Sequence, residues 1–265
     1  MEKKRPKVVM LCSCSASSFY VFNGIKDDVD IELVIFEESH SSVDKFNKKL
    51  KLIKNRINRL GMKAVIGQIL FMAFEKFYIK KTSKKMIAAA KKKYDLDDTF
   101  PNIENKKSVR SVKDPKIVNY IQAVQPDAVL VNGTGILPLS IIENIKCPII
   151  NTHVGITPKY RGSHGGYWAL ANNDKNNFGV TVHLIDEGID TGGILYQARG
   201  EISENDTFTT YPLHQIGMAI PLISRSLYDV IYNRLEAKTS NLDSSIWSHP
   251  TLFEYIKNWK KKGIK

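Results

Sequence analysis

Short apolar runs recur along the chain, each followed by small or polar residues and then by a stretch of helical periodicity. This alternation constrains the fold more than any other feature. Val8–Leu11 runs into the serine-rich Cys12–Ser18, and Glu32–Phe36 ends in polar Glu37–Ser42. Ala128–Val131 flows into Asn132-Gly133-Thr134-Gly135, and Pro148–Asn151 into a loop-forming run. Further strands are expected at Gly179–Ile185 and Ile194–Gln197. Helices are expected at Asp114–Val124, Leu139–Ile145, Gly162–Asn172 and Tyr211–Asn233, the first with Asp114 as N-cap and Pro115 in its first turn. Strands alternating with helices predict an α/β fold, a mostly parallel sheet with helices on both faces.

At 265 residues the chain buries enough surface to need neither disulfide nor metal staple, which excludes a small secreted scaffold, a fibre and a disordered protein. The three cysteines, Cys12, Cys14 and Cys147, fit neither a disulfide framework nor a four-ligand zinc site, and no metal is expected. No apolar run reaches the roughly 18 residues of a membrane span. The opening Met-Glu-Lys-Lys-Arg-Pro-Lys leads directly into a strand, so no signal peptide is expected and the compartment is expected to be cytoplasmic.

The net charge of +12 is concentrated in one place. Val43–Lys113 carries 20 Lys and Arg against 6 Asp and Glu, while the rest of the chain is nearly balanced. Such a stripe either meets phosphates, nucleic acid or anionic lipid, or is a solvated helical face. Within it, Asp44–Tyr94 has a basic helical pattern broken at Gly61, and is expected to be an insertion into a domain spanning 1–233. The run Met62–Phe77 is more apolar than a typical surface helix. It either packs on the domain or rests on a membrane surface or a partner, a peripheral placement.

Two stretches carry chemistry. In Ile149–Leu170, Asn151 and His153 stand two apart at the end of an apolar strand, so their side chains leave the same side of the sheet. Open α/β sheets place ligand crevices at such carboxyl ends. In Val180–Gly193 a strand runs into a loop with Asp186, Glu187 and Asp190 followed by two glycines. The loop lacks matched metal ligands, so a carboxylate aimed at a histidine is the better chemical reading. His183, alone in an alternating strand, is expected to be a structural hydrogen-bonder.

Asn-Thr-His, then Pro-Lys-Tyr-Arg-Gly, then His-Leu-Ile-Asp-Glu-Gly-Ile-Asp-Thr-Gly-Gly resembles the folate-dependent formyltransferase family, which includes glycinamide ribonucleotide, methionyl-tRNA and sugar N-formyltransferases. The likeness covers about Ala128–Leu222 and implies a Rossmann-like fold and a formyl donor, 10-formyltetrahydrofolate. It assigns Asn151, His153 and Asp190 to the family's catalytic set. The amide of Asn151 would donate to the oxyanion, His153 would shuttle the amine proton, and Asp190 would orient the imidazole. The folate pocket would lie between Val131, Gly133, Gly135, Ile136 and Leu137 on one side and Leu184, Ile185, Asp186, Glu187 and Gly188 on the other.

Acceptor contacts are expected from Ser13, Ser15, Lys159, Arg161, His164 and Tyr167, with Trp168 left to the core. Cys-Ser-Cys-Ser-Ala-Ser-Ser keeps small residues but lacks the glycines of the purine enzyme's phosphate loop. The methionyl-tRNA enzyme carries a further C-terminal domain, for which about thirty residues after Asn233 are too few. The resemblance therefore points to a nucleotide-linked amino sugar rather than nucleic acid. A lipid-linked amino sugar, glycinamide ribonucleotide and methionyl-tRNA are the alternatives, with an inactive polyanion- or membrane-binding module as the non-enzyme reading. The apolar extension 234–265 is expected to pack on the core or on a second subunit, as in a homodimer.

Overall fold

The computed structural model describes residues 4–38, 50 and 53–265. The chain begins with β1 (Lys7–Ser13), α1 (Ala16–Ile25) and β2 (Asp30–Glu37). The helical segment follows: residues 53–60 (α2), α3 (Met62–Phe74), a π-helical turn (Glu75–Ile79), α4 (Lys80–Thr82) and α5 (Lys84–Lys93). Next come β3 (Lys106–Val109), α6 (Lys116–Val124), β4 (Ala128–Asn132), α7 (Leu139–Ile142) and β5 (Ile149–His153). The last part holds β6 (Arg161–Gly162), α8 (Gly165–Ala171), β7 (Gly179–Leu184), β8 (Ile194–Arg199), α9 (Tyr211–Ile231), β9 (Ile246–Trp247) and α10 (Leu252–Lys262). The expected start of the basic helical segment, from 44 to 49, lies outside the described residues.

Seven strands form one sheet in the order β3-β2-β1-β4-β5-β7-β8. The first five are mutually parallel, whereas β7 runs antiparallel to both β5 and β8. The period-two rule sorts the core. Val8, Met10, Cys12 and Leu130 face one apolar layer with α1 and α9, while Val9, Leu11, Val129 and Val131 face another with α6 and α7. Residues buried on both faces explain the continuous apolar runs in the sequence.

Two elements depart from expectation. β3, Lys-Lys-Ser-Val, falls where the sequence offers only lysines and a serine; it is an edge strand exposed at its first three residues. The apolar run expected as one helix over Met62–Phe77 is α-helical to Phe74 and widens into a π turn at Glu75–Ile79. Elsewhere boundaries shift by a few residues. Asp114 Oδ1 accepts the Lys116 N–H at 3.0 Å, so it still serves the start of α6.

A third cluster joins α3, α8 and α10. Phe71 is fully buried, its ring 4.8 Å from Phe208 and 5.0 Å from Tyr255. Gln68 donates to the His249 carbonyl at 2.8 Å, tying α3 to the segment that precedes α10. The C-terminal extension packs on its own chain: Tyr255 is buried, and Thr251 and Glu254 form a capping box at the start of α10.

Candidate active site

The sheet reverses its strand order between β1 and β4, and the carboxyl ends of the strands there define a crevice. β4 runs into the loop Gly133–Leu137, which Glu37 at the end of β2 holds in place. Its Oε2 accepts the Gly135 N–H at 2.8 Å and its Oε1 the Val112 N–H at 3.2 Å. Nothing in the sequence singled out this carboxylate, which reads only as the polar end of a strand.

Across the crevice, β5 and β7 pair antiparallel, with Asn151 directly opposite His183 and His153 opposite Thr181. Residues opposed in this way project to the same face. His183 Nδ1 lies 2.7 Å from the Leu184 carbonyl, which fixes the ring proton on Nδ1. His183 Nε2 is then an acceptor, and Asn151 Nδ2 donates to it at 3.2 Å. One N–H of the Asn151 amide remains for a ligand.

His153 is buried, held by acceptors at both ring nitrogens. Its Nε2 lies 2.6 Å from the Tyr160 carbonyl, and its Nδ1 faces Asp190 Oδ2 at 3.3 Å. The carbonyl takes the Nε2 proton, so Nδ1 is the basic atom, and a proton added there meets a carboxylate. Burial pushes the imidazole pKa below its ordinary value, against the opposing pull of Asp190 and the Tyr160 carbonyl. Gly155 makes room for this ring: a Cβ there would stand 2.6 Å from His153 Nε2 and 3.1 Å from the Gly165 backbone.

Asp190 adopts a left-handed backbone, φ 51°, which turns its side chain back beneath the two histidines. Oδ2 accepts the Gly162 N–H at 3.0 Å, and Oδ1 lies 3.7 Å from His183 Nε2. Burial alone would raise its pKa, but the two histidines in their charged forms and the Gly162 N–H outweigh it, bringing the carboxyl down to about 2. It is a carboxylate throughout the neutral range.

These groups line a cavity of about 250 Å³. Of the residues expected to hold the folate, Val131, Gly133, Gly135, Ile136, Leu137, Ile185, Asp186 and Gly188 line it, joined by Thr152, His183 and Ile189. Leu184 and Glu187 do not. The Leu184 side chain packs towards the core, and Glu187 is an exposed loop residue. The Asp186 side chain instead accepts from the Gly188 N–H at 3.0 Å and the Thr191 hydroxyl at 2.6 Å, bracing the loop that carries Asp190.

The residues expected at the acceptor side divide. Ser13 and Ser15 stand 2.9 Å apart at the end of β1, and a Cβ on Gly133 would lie 2.9 Å from Ser13 Oγ, so they border the same crevice. Arg161 is half-buried beside Gly162, its Nε enclosed and without a partner among the described residues. The other three are held by partners of their own. Lys159 Nζ is paired with Asp174 at 2.7 Å. His164 is turned into a pair with His249, 3.0 Å between ring nitrogens, and burial pushes its pKa down to about 3. Tyr167 is 2% exposed, its hydroxyl accepting from Asn258 at 3.0 Å. Glycines at the start of α8 let that helix sink inward and carry Tyr167 with it, which the motif does not disclose. His183 is the converse case. It is the hydrogen-bonder expected, yet it also lines the cavity and touches Asn151. Among the described residues no group of three or more His, Cys, Asp and Glu could hold a metal ion.

The sequence matches the family model described as formyl transferase over residues 78–214, and the chain belongs to that family. It is 35% identical over 136 residues to methionyl-tRNA formyltransferase of Clostridium novyi (strain NT), covering 51% of this chain and 42% of that protein. The same enzyme of Thermodesulfovibrio yellowstonii is 35% identical over 154 residues, 57% of this chain and 48% of that one. The chain therefore aligns with less than half the length of these relatives. The fold is shared with a sugar N-formyltransferase from Shewanella sp FDAARGOS_354, with a TM-score of 0.52 at 18% identity, covering 91% of this chain and 76% of that one. It is also shared with glycinamide ribonucleotide transformylase 1 from Symbiobacterium toebii, with a TM-score of 0.57 at 15% identity, covering 88% and 91%.

Proposed function

We propose that the chain transfers a formyl group from 10-formyltetrahydrofolate to a primary amine, and that the amine belongs to a nucleotide-linked amino sugar. The observation that carries the transfer is the placement of an amide donor, Asn151, beside a histidine–carboxylate pair, His153 and Asp190, on one wall of a cavity. The cavity suits a planar heterocycle: Ile136, Leu137 and Ile185 give apolar walls, and the polar groups gather at one end.

The donor supplies an electrophilic formyl carbon, and the remaining work falls to the chain's own residues. Asn151 lines the cavity, and the N–H that His183 leaves unused stabilises negative charge developing on the formyl oxygen. His153 Nδ1 receives the proton that the attacking amine sheds, Asp190 stabilises the resulting imidazolium, and the proton is returned to the donor nitrogen that leaves as its bond to the formyl carbon breaks. His183 holds the Asn151 amide in orientation through its Nε2. Because the Asp190 carboxylate stays charged, the pair is ready to take a proton at neutral pH.

The acceptor assignment rests on the border formed by Ser13 and Ser15, where a serine loop replaces a glycine-rich one, and on the enclosed Arg161 Nε beside the site. The similarity to methionyl-tRNA formyltransferases and the basic helical segment favour a second reading, an aminoacyl-tRNA acceptor. One experiment separates them. Tetrahydrofolate release and acceptor mass are followed with a panel of nucleotide-linked 3-amino and 4-amino sugars and, in parallel, methionyl-tRNA. Gain of one CO on a sugar supports the proposal, and formylation of the tRNA alone overturns its acceptor half. Asn151→Ala should lower turnover roughly 100- to 1,000-fold while leaving donor binding nearly intact. Unchanged turnover would overturn the catalytic half.

A further inference from the structure

The outward face of α3 is the most unusual surface on the molecule. An ordinary surface helix buries one apolar stripe and shows charge to water. This one is apolar on both sides. Val65 and Phe71 point into the protein, yet Met62 is 61% exposed, Ile66 51%, Leu70 52% and Phe77 71%. Met62, Ile66, Leu70 and exposed Ile69 recur at helical spacing along one arc of about 100°, and Phe77 follows in the π turn.

Charge borders the arc. Residues 53–93 hold twelve Lys and Arg and a single acid, Glu75. Lys63, Lys76, Lys80 and Lys81 are exposed along it. Among the described residues only Lys91 of the twelve has an ion pair, with Asp98 at 2.6 Å.

We propose that this face of α3, with the lysines beside it, docks the protein on an anionic lipid surface. Both halves of the pattern are needed to choose the partner. Protruding Ile, Leu and Phe side chains gain nothing from a phosphodiester backbone, which argues against nucleic acid. A second copy of the chain would bring two strongly basic faces together, which Coulomb repulsion opposes. A membrane interface satisfies both: acyl chains receive the apolar side chains, and acidic headgroups neutralise the lysines. No helix among the described residues is long and apolar enough to cross a membrane, and α3, at 13 residues, would lie on the surface. Its inner side is anchored to the domain through Phe71 and the Gln68–His249 bond, so docking needs no unfolding.

The inference does not depend on which amine is formylated. The full chain is sedimented with vesicles of phosphatidylcholine alone and with vesicles of equimolar phosphatidylcholine and phosphatidylglycerol, at low and high salt. Binding to the anionic vesicles that weakens with salt is expected. Ile66→Ser with Leu70→Ser should weaken it about tenfold or more. Lys76→Gln with Lys80→Gln and Lys81→Gln should weaken it several-fold. Because all five positions are exposed, the variants should melt within a few degrees of the parent, which separates lost docking from lost folding. Three results would overturn the proposal. One is failure to sediment with anionic vesicles at low salt. Another is binding that the serine variants leave unchanged. The third is a lipid-free dimer that the serine variants dissociate.

Discussion

Replacing Asp190 by asparagine tests the centre of the site with little change of shape. With its oxygen in the place of Oδ2 the new side chain can still accept the Gly162 N–H and face His153 Nδ1, and its amide nitrogen, in the place of Oδ1, is turned to His183 Nε2. The charge is what disappears. In the native site the carboxyl is held at about 2, below its ordinary value of 3.8. At 1.36 kcal/mol per pKa unit, that makes the ionised form worth about 2 kcal/mol to the folded state at neutral pH. A folded-state pKa below the unfolded one gives stability that is complete above the unfolded value and disappears as pH falls through the folded value. The stability gap between parent and Asp190→Asn should thus be largest at pH 7 and shrink by about half near pH 3. Urea unfolding at the two pH values reads it directly. Turnover should fall at least a hundredfold, because the proton on His153 loses its counter-charge. A stability gap of equal size at both pH values, or near-normal turnover, would refute the assignment of Asp190 as the charge behind His153.

Two more outcomes follow from the same geometry. Glu37→Gln leaves one carbonyl oxygen for two backbone donors, Gly135 and Val112, so the loop should loosen and the donor dissociation constant should rise about tenfold; equilibrium binding measures this, and an unchanged constant would remove Glu37 from the site. His164, whose pKa is down to about 3 through burial, is neutral in the fold and charges on unfolding, so stability should fall as pH drops from 6.5 towards 3. His164→Leu should flatten that limb of the melting-temperature profile, and an unaltered slope would place the acid sensitivity elsewhere.

The wall of the cavity that holds Asn151 and His153 was legible in the sequence because it is local. Asn151 and His153 share a strand, and a strand's period of two alone sets them on one face. Asp190 sits in a loop dense in glycine and acid, which is audible as chemistry even before its target is known. Glu37 was silent, since its partners are 75 and 98 residues away and backbone N–H groups leave no mark on a sequence. His183 was half-read. Its strand was clear, but the register that sets it opposite Asn151 comes from antiparallel pairing between distant segments. Tyr167 misled for the opposite reason: a tyrosine after two glycines beside a catalytic motif looks available, and only the approach of α10 closes it off. The apolar run at Met62–Phe77 announced itself, yet periodicity could not say which of its two apolar faces the domain would keep.

The two-residue ribbon of β6 and β9 carries a consequence for the order in which the proposed site becomes whole. Gly162, which steadies Asp190 through its N–H, is itself braced by the parallel partner Trp247, while the neighbouring amides of Arg161 and Ser163 donate to the Ser245 and Trp247 carbonyls. The first strands of the sheet are made early, but the brace on the Asp190 carboxylate is complete only once a segment made some eighty residues after β6 has returned to lie beside it. During synthesis the chain would thus pass through a stage with its sheet in place and the brace on Asp190 still missing.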